Sequence, residues 1–112
     1  MRILERLNEF NEALGQLSKE SPEKVNAFVH LLEKVEAKGA LDTKTKELIA
    51  LGIGIAKHCE WCISYHIKGA LDAGATREEI LEAAWVAVLM DGGPGIAHMV
   101  PVLKALKDFT GK

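Results

Sequence analysis

Aromatic side chains make up only 5% of this sequence: two Trp, one Tyr and three Phe. The apolar mass, 48% of 112 residues, is instead mostly Ala, Leu, Ile and Val. Small and aliphatic side chains suit helices packed at close range, and this much apolar surface argues against a disordered chain. Positive charge is not in excess either. Fourteen basic residues face 16 acidic ones, for a net charge of −2 and a pI of about 6.1. A nucleic-acid footprint needs a basic face and a membrane-surface helix needs a basic amphipathic stretch; the sequence offers neither. Long apolar runs are missing too. The longest, Leu48 to Ala56, has nine residues, far short of the ~20 that span a bilayer. Charges at Arg2, Glu5 and Arg6 interrupt the N-terminus before an apolar signal core can form. The expectation is a cytoplasmic protein with no nucleic-acid or membrane partner.

The length fits a single domain, residues 1–112, and no linker, repeat or low-complexity stretch divides it. No segment reads convincingly as a strand, and the periodicity predicts an all-α fold of about six helices. Leu4, Leu7, Phe10, Leu14 and Leu17 recur at three- and four-residue steps on one face of a first helix, from about Arg2 to Leu17. Ser21-Pro22-Glu23 starts a second, with Ser21 as cap, a stripe of Val25, Phe28, Val29, Leu32 and Val35, and Gly39 as its stop. A third begins at Asp42-Thr43 and runs to about Lys57, although Gly52 and Gly54 weaken it. A fourth runs from the cysteines to Gly74. Thr76 and Glu79 form the capping box of a fifth, and a sixth spans about Ile96 to Phe109, where Pro101 could kink it. Parts of the third and fifth helices are apolar all round and need cover that a small monomer does not offer. A homo-oligomer is therefore expected.

Cysteine is almost absent, but its two residues fall together in Cys59-Glu60-Trp61-Cys62, with His66 after them. Two cysteines cannot build a secreted disulfide scaffold, and a pair three positions apart in a cytosolic chain points to redox chemistry or metal. At the start of a helix the pair can close a disulfide with little backbone motion, and the unpaired N–H groups favour a thiolate. Cys62 and His66 are four residues apart on one helical face, with Cβ atoms roughly 6 Å apart. A neutral imidazole there can take the thiol proton. Glu47 enters by geometry. If the third and fourth helices form a central antiparallel pair turning near Lys57, Glu47 lies ten residues before the turn and His66 nine after it. A carboxylate beside an imidazole fixes its orientation and raises its basicity. The candidate catalytic residues are thus Glu47, Cys59, Cys62 and His66.

Each has a plainer reading. Taken singly, Glu47 and His66 are a solvated charge and a core or solvated histidine, His58 is a surface residue near the turn, and His98 is structural. Trp61 and Trp85 read most simply as hydrophobic anchors or subunit contacts. A structural zinc site normally has two paired knuckles, and only one pair is present, so no metal site is expected. A thioredoxin fold would need a βαβ pattern around the motif. No Gly-rich phosphate loop follows a strand, because Gly92-Gly93-Pro94-Gly95 reads as an interhelix turn. No organic cofactor is expected.

From about Leu41 to Leu106 the sequence resembles the AhpD-like alkylhydroperoxidase branch of the carboxymuconolactone decarboxylase family. The resemblance is carried by Glu47, by His58-Cys59-Glu60-Trp61-Cys62-Ile63-Ser64-Tyr65-His66, by Ala70 to Thr76 with Glu78-Glu79-Ile80, and by Gly92-Gly93-Pro94. The family pattern has a glutamate twelve residues before the first cysteine and a histidine four after the second, and all four positions match. The resemblance implies an all-α fold assembled as a trimer or hexamer. It also implies a cysteine pair that reduces a hydroperoxide substrate, a Glu47–His66 proton relay to Cys62, and resolution by Cys59. The electron donor would be a dithiol, lipoyl or thioredoxin-like. Some relatives carry a further histidine where this chain has Trp61, which implies a shorter relay here. Two other classes stay open: a lactone decarboxylase or isomerase using Glu47 and His66 as acid and base, and a non-enzymatic zinc or redox-sensing module.

Overall fold

A computed structural model describes residues 3–112, and every regular element among them is helical. The chain runs through α1 (Ile3–Glu20), α2 (Pro22–Glu36), α3 (Thr43–Ala56), α4 (Glu60–Asp72), α5 (Arg77–Asp91), the single turn α6 (Gly93–Ala97) and α7 (Met99–Thr110). The six longer helices answer to the six read from periodicity. The expected sixth helix is instead split at His98, so Pro101 lies in the first turn of α7 and kinks nothing.

Helices α3 and α4 form the central antiparallel pair. Glu47 meets His66 near one end and Gly54 meets Cys62 near the other. The joint between them is a Schellman turn: His58 N–H donates to Ile55 O and Cys59 N–H to Gly54 O, satisfying carbonyls that the helix end leaves orphaned. The left-handed position of this turn, usually a glycine, is held by His58 at φ 56°. Its imidazole is fixed by Asp91 (Nε2 to Oδ2, 2.7 Å) and by stacking on His98 at 4.5 Å between ring centroids. One contact to the end of α5 and one to the joint between α6 and α7 thus hold a backbone conformation that costs a non-glycine residue roughly 1–2 kcal/mol. Gly74, at φ 92°, closes α4 in the same way.

The core forms where the inner faces of α3, α4, α5 and α7 meet. Leu51, Ile55, Ile63, Ile67, Ile80, Val102 and Leu106 are fully buried, with Ala70, Ala84 and Ala105 between them. Each large aliphatic side chain contributes about 1.5–3 kcal/mol by leaving water. Ile3 seals the cluster from α1. Buried Ser64 satisfies its hydroxyl on Trp61 O at 3.0 Å.

Two local expectations fail. Ser21 occupies the N-cap of α2 at φ −141° and ψ 61°, away from the usual extended cap geometry, and makes no side-chain cap; its backbone N–H continues the α1 ladder to Leu17 O, and α1 runs on to Glu20. Gly39 does not end α2. The helix stops where Ala37 turns extended, and α3 captures its last carbonyls: Thr43 Oγ1 donates to Glu36 O at 2.7 Å and Lys46 Nζ to Ala37 O at 2.6 Å. This docking brings the end of α2 against the start of α3.

The helices expected to be apolar all round do bury one face each. Their other faces stay open in the single chain: Ile49 and Ile53 on α3, and Trp85, Val86, Leu89 and Met90 on α5. A groove of about 450 Å³ runs between them.

Candidate functional site

The cysteine pair sits where α4 begins. Cys59 is the N-cap residue, extended at φ −108° and ψ 101°, and its Sγ accepts the Cys62 N–H at 3.1 Å. A sulfur thus takes the place that Ser, Thr, Asp or Asn usually fills. The two cysteines form a disulfide with Cα atoms 5.2 Å apart. Gly54 makes the close approach behind them possible, since a Cβ built there would lie 3.0 Å from Cys62 Cβ.

One turn further along α4, His66 Nδ1 and Glu47 Oε2 are 3.0 Å apart. With Glu47 ionised, the carboxylate can only accept. Nδ1 then carries the hydrogen, and the neutral imidazole keeps its lone pair on Nε2. Glu47 is 2% exposed, so the pair is shielded from solvent competition on the carboxylate side. Space for that carboxylate is made by Gly69: a Cβ there would overlap Glu47 Oε2. Tyr65 lies edge-on to the His66 ring at 5.0 Å, and Phe10 of α1 packs edge-on to Tyr65 at 5.4 Å. Burial, then the charges of Glu36 and Glu47, push the Tyr65 phenol above its ordinary range.

Cys62, Tyr65 and His66 floor a cavity of about 150 Å³, where they meet Phe10, Phe28, Leu32 and Trp61. Trp61, between the cysteines, is held from α1 by Arg6, whose guanidinium lies 4.8 Å from the ring centroid and also pairs with Glu60 at 2.8 Å. The structure therefore gathers Glu47, Cys59, Cys62 and His66 on adjoining parts of one helix pair. His58 and His98 form their own cluster with Asp91 and are not among the residues lining this cavity.

Sequence reasoning missed Glu36. The last residue of α2 places its carboxyl beside Glu47, and one ligand-capable atom from each of Glu36, Glu47 and His66 lies within 4.8 Å of the other two. Two carboxylates and an imidazole at that range could hold a divalent cation. Glu36 Oε1 is buried without a hydrogen-bond partner. Burial first, and then the neighbouring Glu47 carboxylate, push the Glu36 carboxyl above its ordinary range; His66 opposes them. The only sequence signal was a charge at the edge of an apolar stripe, which an exposed helix end shows equally well.

A family model described as the carboxymuconolactone decarboxylase family matches residues 22–105. Protein 4 in the cox locus of Paracoccus denitrificans is 43% identical over 99 residues, covering 88% of this chain and 89% of that one. The alkyl hydroperoxide reductase AhpD of Mycobacteroides abscessus is 32% identical over 63 residues, 56% of this chain and 36% of that one. Among solved structures, a carboxymuconolactone decarboxylase family protein from Legionella pneumophila superposes with a TM-score of 0.92 at 37% identity, covering 96% of both chains. Another family member, from Thermotoga maritima, for which a part in the antioxidative response has been suggested, gives 0.83 at 30% identity over 94% of this chain and 90% of its own. With the matched segment spanning the six helices from α2 into α7 and the fold shared nearly end to end, the chain belongs to the carboxymuconolactone decarboxylase family.

Proposed function

We propose that the protein is a thiol-dependent peroxidase working through Cys59 and Cys62. The observation that carries this reading is a disulfide at the N-terminus of α4, beside a cavity that also holds a histidine backed by a buried carboxylate. The AhpD relative and the role suggested for the Thermotoga relative support it.

In the reduced protein, His66 takes the Cys62 proton, and Glu47 stabilises the imidazolium that results. The thiolate attacks the terminal oxygen of the hydroperoxide. The O–O bond breaks, Cys62 becomes a sulfenic acid, and the departing alkoxide takes the proton from His66 and leaves as alcohol. Cys59 then attacks the Cys62 sulfur, forming the disulfide and expelling the oxygen as water. An external dithiol, lipoyl or thioredoxin-like, restores both thiols by exchange and is itself oxidised. The aromatic and aliphatic walls of the cavity suit a hydroperoxide with an apolar tail. Cys59 has its own claim to a stabilised thiolate, through the Cys62 N–H. Cys62 is assigned the attack because it lines the cavity together with His66.

The test is a thiol count with intact-mass analysis before and after one equivalent of hydroperoxide. Loss of both thiols and of the mass of two hydrogens is expected; two thiols that stay free would refute the reading. In Cys59→Ser the sulfenic acid should accumulate on Cys62 and be trapped there. A lactone decarboxylase would use the same Glu47–His66 pair, and turnover of a lactone by the double Cys→Ser variant would favour it instead. The open apolar faces of α3 and α5 support a homo-oligomer as the working form, which light scattering can read directly.

A further inference from the structure

Glu36 reaches Glu47 and His66 from the side formed by the end of α2. One atom of each of the three lies within 4.8 Å of the others, and Glu47 is almost wholly removed from water. Two carboxylates this close cannot both ionise without large repulsion, and one of them retains a proton. Glu47 Oε2 lies 3.0 Å from His66 Nδ1, and as a carboxylate it accepts from that nitrogen. Glu36 Oε1 is buried and unpaired with any protein group, and with a carboxylate as its neighbour it gains a hydrogen bond only by carrying a proton itself.

We propose that Glu36 is a positioning residue of the relay: it holds a proton between itself and Glu47, and so keeps Glu47 an anion that faces His66. The inference rests on the relay described above, but not on the identity of the oxidant. As the acid, Glu36 donates to one oxygen of Glu47 while His66 Nδ1–H donates to the other side of the group. Glu47 is then pinned from two directions, and the His66 lone pair keeps its aim. The titratable groups facing Glu36 are Glu47 of α3 and Tyr65 and His66 of α4. The docking of α2 does not depend on the Glu36 side chain, because Thr43 binds the Glu36 backbone carbonyl.

The test uses the full chain, reduced, and needs no peroxide. The rate of Cys62 alkylation by iodoacetamide is followed against pH, and infrared spectroscopy looks for the carbonyl stretch of a protonated carboxylic acid at neutral pH. The wild type should show that acid band and a step in the rate profile from Glu36. In Glu36→Gln the band and the step should both vanish, while the neutral-pH rate stays within about twofold because the amide still donates. Glu36→Leu, which cannot donate, should slow alkylation about fivefold to tenfold. If Glu36→Leu fails to fold, the Glu36→Gln profile decides. A rate profile of unchanged shape in Glu36→Gln, or no acid band in the wild type, would overturn the proposal. So would a stoichiometric divalent ion in the purified protein, since a cation between the carboxylates replaces the proton. Failure of the peroxidase reading leaves both measurements intact.

Discussion

Gly15 and Gly69 are both helical glycines, and alanine at the two sites should shift stability in opposite directions. Gly15 lies inside α1 with nothing near a built Cβ. Alanine there removes backbone freedom from the unfolded chain and should stabilise by about 0.5–1 kcal/mol. Gly69, in α4, would gain the same propensity term, but its new methyl falls on the Glu47 carboxylate. That carboxylate is the far end of a flexible side chain, so what decides the sign is where it can go. It is buried, hydrogen-bonded to His66 and flanked by Glu36. Moving it loses a hydrogen bond of the charged kind, about 1.5–3 kcal/mol, and leaves residual crowding. After the propensity gain is subtracted, Gly69→Ala should destabilise by about 1–3 kcal/mol, on the order of 4–12 °C in melting temperature for a domain of this size. Calorimetry on both variants gives the two signs. A cycle with Glu47→Ala isolates the cause, because removing the carboxylate first should abolish most of the cost. A Gly69→Ala protein as stable as Gly15→Ala, with the His66 ring still bonded to Glu47 by NMR, would refute the reasoning.

Three further outcomes follow from the structure. Thr76→Ala removes the acceptor of an N-cap hydrogen bond of 3.1 Å and should cost about 1 kcal/mol, read as a lower urea midpoint at unchanged slope. Glu36, raised above its ordinary value near 4.5, keeps its proton in the folded state when the unfolded chain has lost it. Stability from this group is therefore full below that ordinary value and falls as pH rises through the higher folded one. Glu36→Gln should flatten this decline in melting temperature, and a parallel decline in the variant would contradict the assignment. Ile53→Asp places a charge in the apolar groove between α3 and α5. It should shift the protein to monomer in light scattering, and an unchanged mass would show that this face is not the interface.

Much of this was legible from residues alone. The periodicity of Leu and Val, the Thr76–Glu79 box and Asp42 before α3 gave the helices, because each of those signals is local. The contact of Glu47 with His66 was legible for a different reason. A short turn between two straight helices fixes which residues meet across the pair, so counting ten back and nine forward sufficed. Glu36 was out of reach because it arrives on a third helix, and the docking of α2 depends on Thr43 and Lys46 capturing carbonyls across a six-residue loop. Gly69 was hidden too: a glycine in a helix reads as a weakness until the carboxylate it makes room for is known. Ser21 misled because a capping residue type cannot show whether the backbone takes the extended geometry that aims the side chain at the helix N–H groups.

The joint at His58 also governs how this segment can change length. An α-helix turns by about 100° per residue. A single residue inserted in α3 between Glu47 and the joint would swing Glu47 from its buried position toward solvent, and one inserted between Cys62 and His66 would do the same to the imidazole. Inserted in the joint itself, it would break the paired carbonyl contacts that let Cys59 cap α4 directly. Side chains along this stretch can be exchanged with graded losses, but the count of residues from Glu47 to His66 admits no slack.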